Sequence, residues 1–128
     1  MKLLLDTHSF LWFIDGSSKL SQNARTLIEN QTNERFLSIA SLWEITIKVS
    51  IGKLKLQLSI SDLVREQMYD NDISLLAITP QHLDILEQLD FNHKDPFDRL
   101  LIAQAIAENL TILSLDSMFD NYPITRLW

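Results

Sequence analysis

Short apolar runs recur along this chain, and each is followed by a stretch carrying the caps and spacing of a helix. Lys2–Leu5 reads KLLL and stops at Asp6. Phe36–Ile39 reads FLSI, Ile73–Ile78 reads ISLLAI and Leu110–Leu115 reads LTILSL, with Tyr122–Trp128 as a candidate fifth run. Runs that are apolar throughout, rather than alternating, suit strands covered on both faces, which is the condition of a parallel sheet. The intervening segments carry helix signals. Ser21–Gln31 opens on a capping Ser21, Ala40–Ser50 stops before Gly52, and Ser59–Asp70 starts at SISD. Pro80–Leu89 has Pro at its first position behind Thr79, and Asp95–Asn109 opens with Asp95 as cap, Pro96 next and Asp98 in the first turn. The expected order is β-α-β-α-α-β-α-α-β-α-β. That alternation predicts an α/β fold: a parallel sheet of four or five strands with helices on both faces. With 128 residues and no linker or repeat, residues 1–128 are expected to form a single domain.

Composition narrows the chemistry. There are no cysteines, which excludes disulfides, thiol nucleophiles and Cys-based zinc or iron–sulfur sites. The two glycines, Gly16 and Gly52, are too far apart to build a P-loop, a GxGxxG turn or a GxSxG elbow. His8, His82 and His93 form no H-x₃-H pattern and are expected at the surface or in turns. No apolar run nears the ~20 residues of a membrane span. The N-terminus has one Lys and meets Asp6, unlike a signal peptide, so a cytoplasmic protein without membrane contact is expected. The net charge of −6 lacks the basic footprint of a protein held to nucleic acid by phosphate contacts alone. It suits a site that gathers carboxylates around a hard cation.

In open parallel sheets, ligands bind beyond the carboxyl ends of the strands. Asp6 follows KLLL and Asp116 follows LTILSL, so both belong at that rim, although each also suits a helix cap. Glu44 lies one turn into the helix after FLSI. Lys48, four residues on, offers it an ordinary ion pair. Asp98 shares a helix face with Leu101, Ile102 and Ala105, residues of core type, while Asp95 takes the cap. A carboxylate on an apolar face needs a partner or a ligand. Four carboxylates from four elements repel unless a cation screens them. Oxygen-only ligation selects Mg²⁺ or Mn²⁺, ions that activate water at a phosphodiester. Lys48, Lys94 and Arg99 flank the acids and suit either substrate phosphates or neutralisation of the cluster. Trp12, Phe13 and Trp43 fit a core or an interface. Ser38, Ser41 and Ser114 fit helix ends.

The succession LLLDTH, SLWEITIK, GKLKL, DPFDRLLIAQA and LSLDSMF resembles PIN-domain ribonucleases, in particular VapC-like toxins of bacterial toxin–antitoxin pairs. The resemblance covers nearly the whole chain. It implies a PIN-like three-layer fold, Mg²⁺ or Mn²⁺ as cofactor and an RNA substrate. By motif it places the acidic quartet on Asp6, Glu44, Asp98 and Asp116, with Ser114 where the family more often has Thr. It further implies a small antitoxin that covers an apolar groove and directs a basic side chain toward the acids, and a homodimer built through helices. Two other readings fit part of the pattern. A receiver-like Mg²⁺-binding signalling domain has similar length and acids, but ISLLAITP supplies no Asp at the end of the third strand. A non-catalytic PIN-like binding module would not need all four acids.

Overall fold

The computed structural model describes all 128 residues. In chain order the elements are β1 (Lys2–Leu5), α1 (Thr7–Asp15), α2 (Gln22–Glu29), β2 (Glu34–Ser38), α3 (Ile39–Ser50), α4 (Ile60–Asp62), β3 (Ile73–Leu76), α5 (Pro80–Glu87), α6 (Pro96–Glu108), β4 (Thr111–Leu113) and β5 (Arg126–Leu127). A π-helical turn, Leu63–Met68, continues α4, and a 3₁₀ turn, Ser117–Asn121, precedes β5. The strands form one sheet in the order β3-β2-β1-β4-β5, and every pairing is parallel. The α/β architecture with a parallel sheet is therefore as the sequence predicts, and β1 lies at its centre.

Side-chain alternation divides the core in two. Leu5, Leu37 and Leu113 face Phe10, Leu11, Ile28, Ile45 and Leu63. Leu4 and Ile112 face Leu101, Ile102, Ala105 and Phe119. Neighbouring residues of one strand thus enter opposite layers, because successive side chains point to opposite faces of a sheet. This is why KLLL carries no polar residue after Lys2: Leu3, Leu4 and Leu5 are all fully buried.

Several boundaries differ from expectation. β2 starts at Glu34, ahead of the apolar run, since backbone pairing with Lys2 and Leu3 does not require apolar side chains. It ends at Ser38, whose Oγ accepts from the Ala40 N–H at 3.1 Å and turns Ile39 into the first residue of α3. β3 stops at Leu76 because its neighbour ends there, Ser38 being paired with Leu76. As an edge strand it exposes Ser74 and Leu75, so the expectation of cover on both faces fails at this edge. The helix expected over 59–70 is α-helical for one turn and then widens. The wider turn lets Leu63 and Met68, five residues apart, both reach the core.

Candidate active site

The strand order reverses direction between β1 and β4, which opens a crevice at their carboxyl ends. Asp6 stands at its centre. Its Oδ1 accepts from the Ser9 N–H at 2.8 Å and caps α1, while Oδ2 accepts from Ser114 Oγ at 2.6 Å. The capping role and the rim position hold together. Ser114 lies just past β4, and its Oγ also accepts the Asp116 N–H at 3.0 Å, tying two acids from different strands. Ser114 thus does more than the helix-end duty expected of it; Ser38 keeps that duty.

Glu44 is buried on α3. Its Oε1 accepts from Thr7 Oγ1 at 2.6 Å, and its Oε2 lies 3.0 Å from Lys48 Nζ. The i,i+4 ion pair is formed, so Lys48 is engaged in neutralising an acid. Asp95 caps α6, its Oδ1 accepting from the N–H groups of Phe97 at 2.8 Å and Asp98 at 3.0 Å. Asp98 is then free to lean inward. Asp116 caps the 3₁₀ turn through Met118 N–H at 2.9 Å. Between Asp98 and Asp116 sits His93, with Nε2 at 3.0 Å from one carboxylate and 3.3 Å from the other.

One chain of contacts thus runs from Ser114, which joins Asp6 and Asp116, through His93 to Asp98. Thr7, adjacent to Asp6, reaches Glu44. Metal-ligating atoms of His93, Asp98 and Asp116 lie within 4.8 Å of one another, and Asp6 and Glu44 stand outside that group. Both still bear on Asp98. Burial is the largest cause pushing the Asp98 carboxyl up to about 8, followed by the negative charges of Asp95, Asp6, Glu44 and Asp116. Such a set of hard oxygen donors, short of positive charge, fits a divalent cation of the Mg²⁺ or Mn²⁺ kind.

Two expectations need correction. The histidines are not simply surface or turn residues. His82 is fully buried, its Nδ1 accepting from Thr79 N–H at 3.0 Å and its Nε2 2.9 Å from Glu108. His93 belongs to the acidic site. Arg99, which suited either substrate phosphates or neutralisation of the acids, is buried and turned away from both. Its guanidinium donates to the carbonyls of Asp90, Leu89 and His93 at 2.7, 3.0 and 3.3 Å and stacks on Phe91. An N–H fork that holds three loop carbonyls is not available to substrate. Lys94 remains exposed and without an ion pair. Trp43 lies largely exposed on α3 with its ring edge on Phe97, while Trp12 packs on Trp128. Sequence reasoning missed Thr7 and His93. Thr7 had a signal, a hydroxyl next to a rim acid. His93 had none, because loop geometry alone carries it to the site.

No helix is long and apolar enough to cross a membrane. The PIN domain family model matches residues 3–124. No curated protein matches the chain. Among solved structures, VapBC2 from Rickettsia felis, bound to a DNA fragment from its promoter, is similar at a TM-score of 0.73. It is 19% identical, covering 100% of this chain and 99% of that one. FitAcB from Neisseria gonorrhoeae is similar at 0.67 and 15% identity, covering 98% and 96%. A toxin–antitoxin complex from Klebsiella pneumoniae is similar at 0.64 and 14% identity, with the same coverage of 98% and 96%.

Proposed function

The chain belongs to the PIN domain family, a family of nucleases, and from that premise we propose that it is a metal-dependent endoribonuclease, the toxin of a toxin–antitoxin pair. The observation that carries this reading is the Asp98 carboxyl. It is pushed to about 8 by burial and by acids arriving from four other positions. A fold does not retain that repulsion for stability, and a cation relieves it.

Asp6, Glu44, Asp98 and Asp116 would hold Mg²⁺ or Mn²⁺. Such an ion supplies Lewis-acid charge and a water nucleophile at neutral pH. The chain's own residues do the rest. Ser114 and Thr7 donate to Asp6 and Glu44 and hold each carboxylate in one orientation. Asp98, raised to about 8, would have to shed its proton to act as a ligand, so affinity for an ion would rise with pH through that range. Lys94, exposed at the head of α6, is the flanking cation available to an RNA phosphate. A receiver-like domain is set aside, since no Asp follows β3 and the family is PIN. Four intact acids favour catalysis over a silent binding module.

The antitoxin partner rests on the similar complexes and on one surface feature. Ile39, Trp43, Ile47 and Ile51, spaced four apart along and just past α3, are all exposed and make an apolar stripe. The reading takes it as a protein-docking face, in a cytoplasmic protein that also pairs with a second copy of itself. The test is digestion of RNA by the purified chain, as one domain, with Mn²⁺ and with excess EDTA. Cleavage that persists in EDTA overturns the metal mechanism, and the absence of any RNA cleavage with Mn²⁺ overturns the ribonuclease.

A further inference from the structure

His93 stands among the acids without any part in the mechanism above, and its surroundings decide what it does. Its loop is clamped from beneath. The His93 backbone N–H donates to Tyr122 Oη at 2.7 Å, Tyr122 Oη donates to the Asp90 carbonyl at 2.8 Å, and Arg99 holds three carbonyls of the same loop. Tyr122 and Arg99 are both buried. The ring lies against Phe119 with centroids 5.9 Å apart. The backbone N–H of Asp95 donates to His93 Nδ1 at 3.2 Å. An accepting Nδ1 has its lone pair occupied, so the ring proton is on Nε2.

Nε2 is the atom that faces Asp98 Oδ2 and Asp116 Oδ2. A nitrogen that carries a proton has no lone pair for a cation. Three potential ligand groups gather here, but only the two carboxylates can ligate in this arrangement. Resting on the metal-nuclease reading above, we propose that His93 is a positioning residue. Locked in one tautomer by the Asp95 backbone, it donates Nε2–H to Asp116 Oδ2, keeps Asp98 Oδ2 at 3.0 Å, and leaves the Asp98 Oδ1 turned to the cation. Histidines that tie down carboxylate ligands in this way set metal affinity without touching the metal.

Two substitutions separate the two ends of the ring. His93→Gln keeps a donor near the Nε2 position, and the shorter His93→Asn keeps an acceptor near Nδ1 but places no donor at Nε2. Calorimetric titration of the full chain with Mn²⁺ should show affinity within a few-fold of wild type for His93→Gln. It should show a loss of roughly 10–100-fold for His93→Asn, the usual cost of removing such a support. RNA cleavage by His93→Asn should recover at high Mn²⁺, which a misfolded site would not do. Long-range ¹⁵N spectra of the metal-free protein should show His93 as the Nε2–H tautomer.

Equal affinity in wild type and both variants overturns the proposal. So does an equal loss in both, since the ring's bulk and not its donor would then matter. The Nδ1–H tautomer, or ¹⁴N coupling from His93 in the Mn²⁺ electron-spin-echo spectrum, overturns it as well. If wild type binds no Mn²⁺, the nuclease reading falls and this inference with it. If wild type binds Mn²⁺, Asp6→Asn does not, and the His93 variants match wild type, only the inference falls.

Discussion

The two ends of the sheet both bury polar groups and treat them in opposite ways. At the amino end, Arg35 is buried beside β1. Its guanidinium donates to the Ile28 carbonyl at 2.8 Å and pairs with Asp72 at 3.3 Å. Asn33 accepts from the Met1 ammonium at 3.1 Å and donates to the Leu27 carbonyl at 3.0 Å. Opposite charges and dipoles meet there, with only the Arg35 Nε left without a partner, so the region holds the chain together. At the carboxyl end, Asp6, Glu44, Asp98 and Asp116 share one lysine, two hydroxyls, a histidine and a few backbone N–H groups. Negative charge exceeds its local compensation, and Asp98 registers the excess. Balanced polar burial marks structure, and unbalanced burial of one sign marks a place where a ligand completes the balance.

The largest expected effect breaks the symmetry between the ends. Asp6→Asn, Glu44→Gln and Asp98→Asn should each lower RNA cleavage by at least ~10²-fold, the scale of one lost transition-state contact. Arg35→Met should leave cleavage per folded molecule unchanged. Initial rates on a labelled RNA, normalised to the folded fraction, check both. An Arg35→Met enzyme as crippled as Asp6→Asn would erase the distinction.

A second effect is read in stability against pH. The Asp98 carboxyl is raised from 3.8 to about 8 in the fold. Between those values the native state holds a proton that the unfolded chain has released. Stability is therefore fully present below about pH 4 and is lost as pH rises through about 8. The loss is on the order of a few kcal/mol in metal-free protein. Asp98→Asn should flatten this slope and be more stable than wild type at pH 8 in EDTA. Millimolar Mn²⁺ should restore stability to wild type and not to Asp6→Asn, since only a bound ion stabilises the native state. Urea melts at pH 5, 6.5 and 8, with and without Mn²⁺, measure all of it. A wild-type slope unaltered by Asp98→Asn removes Asp98 as the site of strain.

Smaller still is the cost of spoiling the amino end. Arg35→Met strips the Ile28 carbonyl of its buried partner and should destabilise by about 1–3 kcal/mol, with little dependence on Mn²⁺. The smallest is Asp95→Ala, which removes the cap of α6 and should cost about 1 kcal/mol. Its cleavage should stay close to wild type, because the Asp95 group that meets His93 is the backbone N–H, which alanine keeps. Denaturant midpoints resolve both. A greater loss of activity in Asp95→Ala than in Asp98→Asn would invert the assignment of those two acids on α6.

How far the site was legible depends on where each residue sits. Asp6 and Asp116 were visible because apolar runs end abruptly at or just before them, and strand ends are where ligands bind in such sheets. Asp98 was visible because Leu101, Ile102 and Ala105 put it on an inward face. Glu44 was ambiguous, and the structure keeps both readings, since it pairs with Lys48 and accepts from Thr7. Arg99 was misjudged. A basic residue beside an acid looks the same in sequence whether it faces solvent or a loop, and here three carbonyls draw it inward. The helix over 59–70 was misjudged for a similar reason, because only packing shows that Leu63 and Met68 must share a face.

Local physics in the chain therefore determined the alternation of strands and helices, the caps at Asp6, Ser21, Thr79 and Asp95, the parallel sheet and three of the rim acids. Each depends on residues a few positions apart. Tertiary structure alone decided the strand order, the edge exposure of Leu75, the turning away of Arg99 and the arrival of His93 between Asp98 and Asp116. Those depend on contacts between segments far apart in the chain: Tyr122 and Arg99 hold the loop, and Ser114 reaches Asp6 across 108 residues. No local spacing encodes such contacts, because their energy comes from packing that exists only once the sheet has closed its two cores.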